Sequence, residues 1–250
     1  MTEVETKKEI TADSKVALIT GASRGIGRAI AIDLAKQSFD VGLVGREAAR
    51  LQEVANECRA LGVRAECYVV DLGDMKAVSQ LASRAAEELG GISVLVNNAG
   101  VSVEKNIREA SLDEWETTLD VNLRSVFTLT KLCLPYLEQA KKAAVITIAS
   151  TASRRTYPGS TMYAASKHGV LGFSNALFED VREAGVKVCS ILPGYVNTDM
   201  HAGDKKLEPS KMIQPEDVAK AVSFVLNFPE NSCPTEITIM PQRSPKKASR

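Results

Sequence analysis

Seven short apolar runs alternate with six stretches of helical periodicity, and that alternation leaves few folds open. The runs cover residues 15–20, 41–45, 64–71, 92–97, 143–149, 186–192 and 235–239. Most are rich in Val and Ile without strict in–out alternation, which reads as strands buried on both faces. The helical stretches cover 26–34, 47–61, 74–89, 111–139, 161–184 and 215–226. Several helix starts carry their own signals. Asp74 is placed to cap one helix, Ser111 with Glu114 forms a capping box, and Pro215 suits a first turn. Pro135 is expected to kink the fourth helix or end it early. The implied class is α/β: a doubly wound parallel sheet of about seven strands, with helices on both faces.

Residues 15–241 are assigned to one such domain. Polar residues 1–14 and the basic tail 242–250 are expected to flank it as flexible segments. Composition then narrows the function. Acidic and basic side chains balance at 31 each, so nothing calls for a nucleic-acid partner. The longest apolar runs fall short of the ~18 residues a transmembrane helix needs, so no membrane partner is expected. The charged N-terminus lacks the apolar core of a secretory signal. The five cysteines (Cys58, Cys67, Cys133, Cys189, Cys233) show no zinc-ligand or CxxC spacing. Together these point to reduced thiols in a cytoplasmic protein. His168 and His201 are too few for a histidine-based site, and no metal is expected.

In a doubly wound sheet, ligands bind beyond the C-terminal ends of the strands. Thr20, Asp71, Asn97, Ser150 and the pair Pro193 and Gly194 all fall at such ends. Thr20 opens a glycine-rich strand-to-helix turn containing Gly21, Ser23, Arg24, Gly25, Ile26 and Gly27. Glycine lets backbone approach a ligand closely, and the new helix offers free N–H groups to a pyrophosphate. The spacing is G-x3-G-x-G rather than the general G-x-G-x-x-G. Arg24 lies in this turn and Arg46 just beyond the second strand, where an NAD site usually carries a carboxylate. Guanidinium groups bind a 2′-phosphate in two-point fashion, which favours NADP(H). Tyr163 and Lys167, four residues apart, share one helix face. A nearby cation favours a phenolate, and a phenol so tuned can exchange a proton with a carbonyl or alcohol oxygen. Ser150 is placed to hold that oxygen.

In order and spacing over residues 14–200, the chain resembles the short-chain dehydrogenase/reductase family. The family's T-G-x3-G-x-G turn corresponds to 20–27, its acidic residue after the third strand to Asp71, and its N-N-A-G motif to Asn97, Asn98, Ala99 and Gly100. Its helix-borne Asn corresponds to Asn122, its catalytic Ser to Ser150, its Y-x3-K to Tyr163 and Lys167, and its P-G motif to Pro193 and Gly194, followed by Thr198. The resemblance implies a Rossmann-type fold and a reversible reduction of a ketone or aldehyde by NADP(H). It makes Tyr163 the general acid and base, and Lys167 the group that lowers the Tyr163 pKa and binds the nicotinamide ribose. Ser150 would bind the substrate oxygen, and Asn122 would hold a water linked to Lys167. Asp71 would recognise adenine, Asn98 would lie at the adenine-side ribose, and Thr198 would anchor the carboxamide. Leu72, Ala99, Gly100, Pro193, Gly194 and Val196 would complete the cofactor contacts.

The chain departs from the pattern at its end. Residues 233–241 replace the glycine-rich closing segment of the fatty-acid-synthesis reductases. That ending is similar to those of the family's broad carbonyl reductases and hydroxy-acid or amino-alcohol dehydrogenases, which favours a carbonyl reductase over a 3-oxoacyl-[acyl-carrier-protein] or acyl thioester reductase. A non-catalytic NADP-sensing relative would be expected to lose Ser150, Tyr163 or Lys167. The family's usual homodimer or homotetramer would form through the helices at 111–139 and 161–184. The substrate pocket is expected to be lined by Ser102, Val103, residues 154–157 and a lid at 195–214, with Arg154 and Arg155 as candidates for an anionic group.

Overall fold

The computed structural model describes residues 14–246. Its seven strands are β1 (Val16–Thr20), β2 (Asp40–Gly45), β3 (Ala65–Val69), β4 (Val94–Asn97), β5 (Ala143–Ile148), β6 (Val186–Pro193) and β7 (Glu236–Ile239). All neighbours pair in parallel, in the order β3-β2-β1-β4-β5-β6-β7. The order reverses between β1 and β4. There the chain leaves the sheet in opposite directions and opens a crevice at the strand C-termini. This is the Rossmann-type, doubly wound arrangement the alternation implies.

Helices α1 (Gly25–Lys36), α2 (Ala48–Arg59) and α7 (Pro215–Leu226) contribute to one core layer. Helices α3 (Met75–Leu89), α5 (Ser125–Leu137) and α6 (Thr161–Val181) contribute to the other. Each central strand feeds both layers. In β1, Ala17 and Ile19 pack on the first side, Val16 and Leu18 on the second. Every β1 residue is therefore buried, as its continuous apolar run requires.

The helix starts follow their capping chemistry. Asp74 Oδ1 accepts from the N–H groups of Lys76 (2.9 Å) and Ala77 (3.2 Å). Ser111 Oγ accepts from Glu114 N at 3.1 Å, and the Glu114 carboxylate accepts from Ser111 N at 3.0 Å. Pro215 opens α7, where its missing N–H costs no helical bond.

Three segments differ from expectation. β3 ends at Val69, so Asp71 lies beyond the strand and forms its own turn, its Oδ1 accepting from Gly73 N at 2.9 Å. The helix expected over 111–139 is α4 (Leu112–Leu119), a π-helical turn at Asp120–Arg124, and α5. Pro135 sits in the last turn of α5, which ends two residues later. The expected tail enters the structure through residues 242–246. Pro245 is buried, its carbonyl accepts from Glu208 N at 2.8 Å, and Lys246 bridges Leu207. Pro245 and Lys246 are thereby tied to the 195–214 segment. Residues 247–250, and 1–13 of the expected N-terminal segment, lie outside the described residues.

Candidate active site

The glycine turn is built by close approach. Gly21 (φ 65°) and Gly25 (φ 54°) adopt left-handed conformations that side chains disfavour. A Cβ on Gly27 would lie 2.2 Å from Gly21 O. The turn is propped from β4. Asn98 Nδ2 donates to Thr20 O (2.8 Å) and Gly21 O (3.2 Å). Thr20 Oγ1 accepts from the N–H groups of Asn98 (2.9 Å) and Ala99 (3.0 Å). Asn98 thus supports the turn through its amide nitrogen. Asn97 faces inward: its amide donates to Thr130 Oγ1 at 3.0 Å, and it is buried. It belongs to the α5 packing, not the crevice.

Helix α1 starts without a side-chain cap and without an acidic residue in its first turn. Its leading N–H groups remain available to an anion. Thr198 seats against this turn, since a Cβ on Gly25 would meet its Cγ2 at 3.1 Å. Gly194 N bonds Ile239 O at 2.8 Å, fixing the end of β6 beside β7. Val196 is buried in the first core layer and bridges Ile213; Leu72 is buried in the second. Ser23 and Ile26 lie partly covered in the same turn, and Gly100 is partly covered beside Asn122 and Lys167.

The arginines are more engaged than the sequence suggests. Arg24 pairs with Asp199 (3.1 Å) and lies 3.7 Å from Glu47. Arg50 pairs with Glu47 (3.0 Å) and lies 3.7 Å from Asp199. Arg46 is exposed and has no ion pair with another described residue. Arg50, Glu47 and Asp199 were not among the sequence candidates. Arg50 follows Arg46 at helical spacing, a readable signal. Asp199 meets Arg24 only through the fold.

The catalytic candidates converge at the mouth of the crevice. Ser150 follows β5, where its Oγ accepts from Ala152 N at 3.1 Å. Tyr163 and Lys167 project from the first turns of α6, and both are buried. Burial raises the Tyr163 pKa above its ordinary value, and the nearby Ser150 hydroxyl partly offsets this. The expected lowering by Lys167 is not found. The lysine stands 5.7 Å from the Tyr163 ring centroid and donates to Ile148 O at 2.9 Å. Its own pKa falls to about 8 because the ammonium is desolvated.

Asn122 is also committed to structure. Its Nδ2 donates to Val101 O (2.9 Å) and Ser166 Oγ (3.0 Å), and its Oδ1 accepts from Val101 N (2.8 Å). The π-helical turn around Asn122 aims this amide at the loop after Gly100. A Cβ on Gly100 would come within 3.3 Å of Asn122 Oδ1 and 3.6 Å of Lys167 Nζ. The loop, Asn122 and Lys167 are therefore packed together, and glycine is what permits it.

Arg154 turns away from the pocket to Glu236, at 2.7 Å. A different residue faces the chemistry: Glu104, whose carboxylate accepts from the Tyr157 hydroxyl at 3.0 Å. No sequence pattern marks it. Among the described residues, no group of three or more His, Cys, Asp or Glu could hold a metal, and no helix is long and apolar enough to cross a membrane.

Known proteins are similar to this chain in sequence and fold. A family model described as short chain dehydrogenase matches residues 15–208. An uncharacterized oxidoreductase of Staphylococcus saprophyticus is 35% identical over 228 residues, covering 91% of this chain and 97% of that protein. Glycine betaine reductase of Emericella nidulans is 35% identical over 240 residues, covering 92% of this chain but 19% of that larger protein. Among solved structures, a short chain dehydrogenase from Burkholderia cenocepacia in complex with NADP superposes with a TM-score of 0.84. It is 32% identical, over 93% of this chain and 98% of that one. The chain belongs to the short chain dehydrogenase family of oxidoreductases.

Proposed function

We propose that this protein is an NADP(H)-dependent carbonyl reductase, reversible as an alcohol dehydrogenase. The observation that carries the proposal is the meeting of three groups: the Tyr163 phenol, the Ser150 hydroxyl near it, and the buried Lys167 ammonium. The cradle suits a dinucleotide. It has glycines where side chains would collide, free N–H groups at α1, and Arg24, Arg46 and Arg50 near the end of β2. The NADP complex of the Burkholderia cenocepacia relative supports the same cofactor. Bound there, NADPH supplies the hydride.

The residues of the chain supply the rest. Ser150 and Tyr163 offer two hydroxyls to a carbonyl oxygen. Tyr163, kept protonated by burial, gives its proton to that oxygen as negative charge develops. The resulting phenolate is stabilised by the Lys167 ammonium, still mostly charged at about pH 7 given its pKa of about 8. The influence of Lys167 on Tyr163 is thus exerted while the proton moves rather than in the resting enzyme. Asn122 positions the Gly100 loop and, through Ser166, the Tyr163 turn of α6, whose carbonyl accepts from Ser166 Oγ at 2.8 Å.

We place the enzyme in the cytoplasm, with five unpaired cysteines, as a homodimer or homotetramer. Phe127 on α5 is half-exposed and packs edge-on against Phe173 of α6, at 5.8 Å between centroids. Those are the helices expected to meet a second copy. The activity test follows NADPH absorbance against ketones, aldehydes, quinones and acyl thioesters. Tyr163→Phe should abolish turnover of every accepted substrate and leave NADPH affinity within about threefold. Undiminished turnover would overturn the assignment of the proton donor.

A further inference from the structure

The segments that follow β4, β5 and β6 bring together the Glu104 carboxylate and the rings of Tyr157, Tyr195 and His201. Glu104 lies on the loop after Gly100, and Tyr157 on the loop before α6. The two loops are joined by the Tyr157 hydroxyl donating to Glu104 Oε1 (3.0 Å) and by Lys105 N donating to Gly159 O (3.0 Å). The segment after β6 adds Tyr195 and His201, their rings tilted at 60° with centroids 5.3 Å apart. The loops stand side by side, because β4, β5 and β6, which lead into them, are neighbours in the sheet. The Glu104 charge acts on Tyr157, Tyr163 and His201, and Tyr157 also senses Tyr163 and Tyr195.

The balance of charge there is negative. Glu104 forms no ion pair with another described residue, whereas Lys105 is paired with Glu114 and Arg154 with Glu236. Asp204 adds a second negative charge near His201. Burial holds the His201 pKa below its ordinary value, so its imidazole presents a neutral ring. Aromatic faces beside a carboxylate attract an organic cation through the ring quadrupole and direct charge.

We propose that the substrate is an aldehyde or ketone carrying an ammonium group, with its cation held by Glu104, Tyr157, Tyr195 and His201 while its carbonyl meets Tyr163. In the reverse direction the substrate is the corresponding amino alcohol. The proposal rests on the reductase reading and specifies its substrate class. It leaves Arg155, exposed and without an ion pair among the described residues, outside substrate recognition.

The test compares three aldehydes with NADPH: trimethylammonioacetaldehyde, its uncharged isostere 3,3-dimethylbutanal, and the anionic succinic semialdehyde. The expected order of kcat/KM is cation above neutral above anion, with a cation-to-neutral ratio of at least about tenfold. Glu104→Gln keeps an acceptor for Tyr157 and should cut that ratio at least about fivefold, mainly through KM. Tyr195→Leu should reduce it as well. Equal rates for cation and neutral isostere, or a preference for the anion, would overturn the substrate class and leave the reductase reading standing. An unchanged ratio in Glu104→Gln would overturn the assignment of Glu104. Absence of turnover with every carbonyl would instead strike the reductase reading. Calorimetry of the NADP+-loaded protein then still decides this proposal. Choline should bind at least about tenfold more tightly than 3,3-dimethylbutan-1-ol, and equal or undetectable binding of both would refute it.

Discussion

Lys167 sets a measurable cost against function. Its ammonium is buried, 5% exposed, and its hydrogen-bond partner among the described residues is Ile148 O. The pKa of about 8 in the folded chain compares with an ordinary 10.5. The unfolded chain therefore holds this proton more tightly, and folding becomes more favourable as pH rises from about 8 toward 10.5. Below that window the full cost is present, about 3 kcal/mol at 1.36 kcal/mol per tenfold change in proton affinity. Between about pH 7.5 and 9.5 roughly 2 kcal/mol of it should disappear. Lys167→Met, similar in length and unable to titrate, supplies the reference. The raised pKa values of Tyr163 and the cysteines act in the opposite sense, and subtracting the variant removes them. Urea unfolding of both proteins at fixed concentration across this range gives the result. Wild-type stability relative to Lys167→Met should rise by about 2 kcal/mol with pH, while the variant loses turnover. A flat or falling difference would refute the idea that desolvation of this ammonium dominates its energetics.

Other expectations follow from single contacts. Gly27→Ala forces a Cβ to within 2.2 Å of Gly21 O and 2.6 Å of Asn98 Nδ2, so it should destabilise by more than about 2 kcal/mol and weaken NADPH binding; wild-type melting and affinity would contradict the close-approach argument. Arg24→Ala should weaken NADPH at least about tenfold and NADH far less, measured by fluorescence titration, and equal losses would remove Arg24 from 2′-phosphate recognition. Phe127→Glu should shift the sizing profile toward monomer if α5 and α6 form the subunit contact, and an unchanged oligomer would exclude that face.

Much of this protein is legible in the chain alone. Uninterrupted apolar runs such as 15–20 can be satisfied only by strands covered on both faces, which forces helices onto both sides of a parallel sheet. The glycine turn, the Asp74 and Ser111 caps and the Tyr163 and Lys167 pair are local patterns. Backbone sterics and helical spacing write them into short stretches of sequence. Tertiary structure decided how the polar side chains are used, because their partners lie far away along the chain. It turned Asn97 into the core, set Asn98 to hold the glycine turn, and committed Asn122 to the Val101 backbone. It also gave Arg154 to Glu236 and linked Arg24 to Asp199 across the crevice. The pKa values belong to the same level. A phenol and an ammonium at helical spacing suggest that one tunes the other, but burial acts on both, and desolvation sets their resting states. Glu104 is the clearest case: no residue around it in sequence announces a role, and only the folded loops bring it to Tyr157 at the entrance to the chemistry.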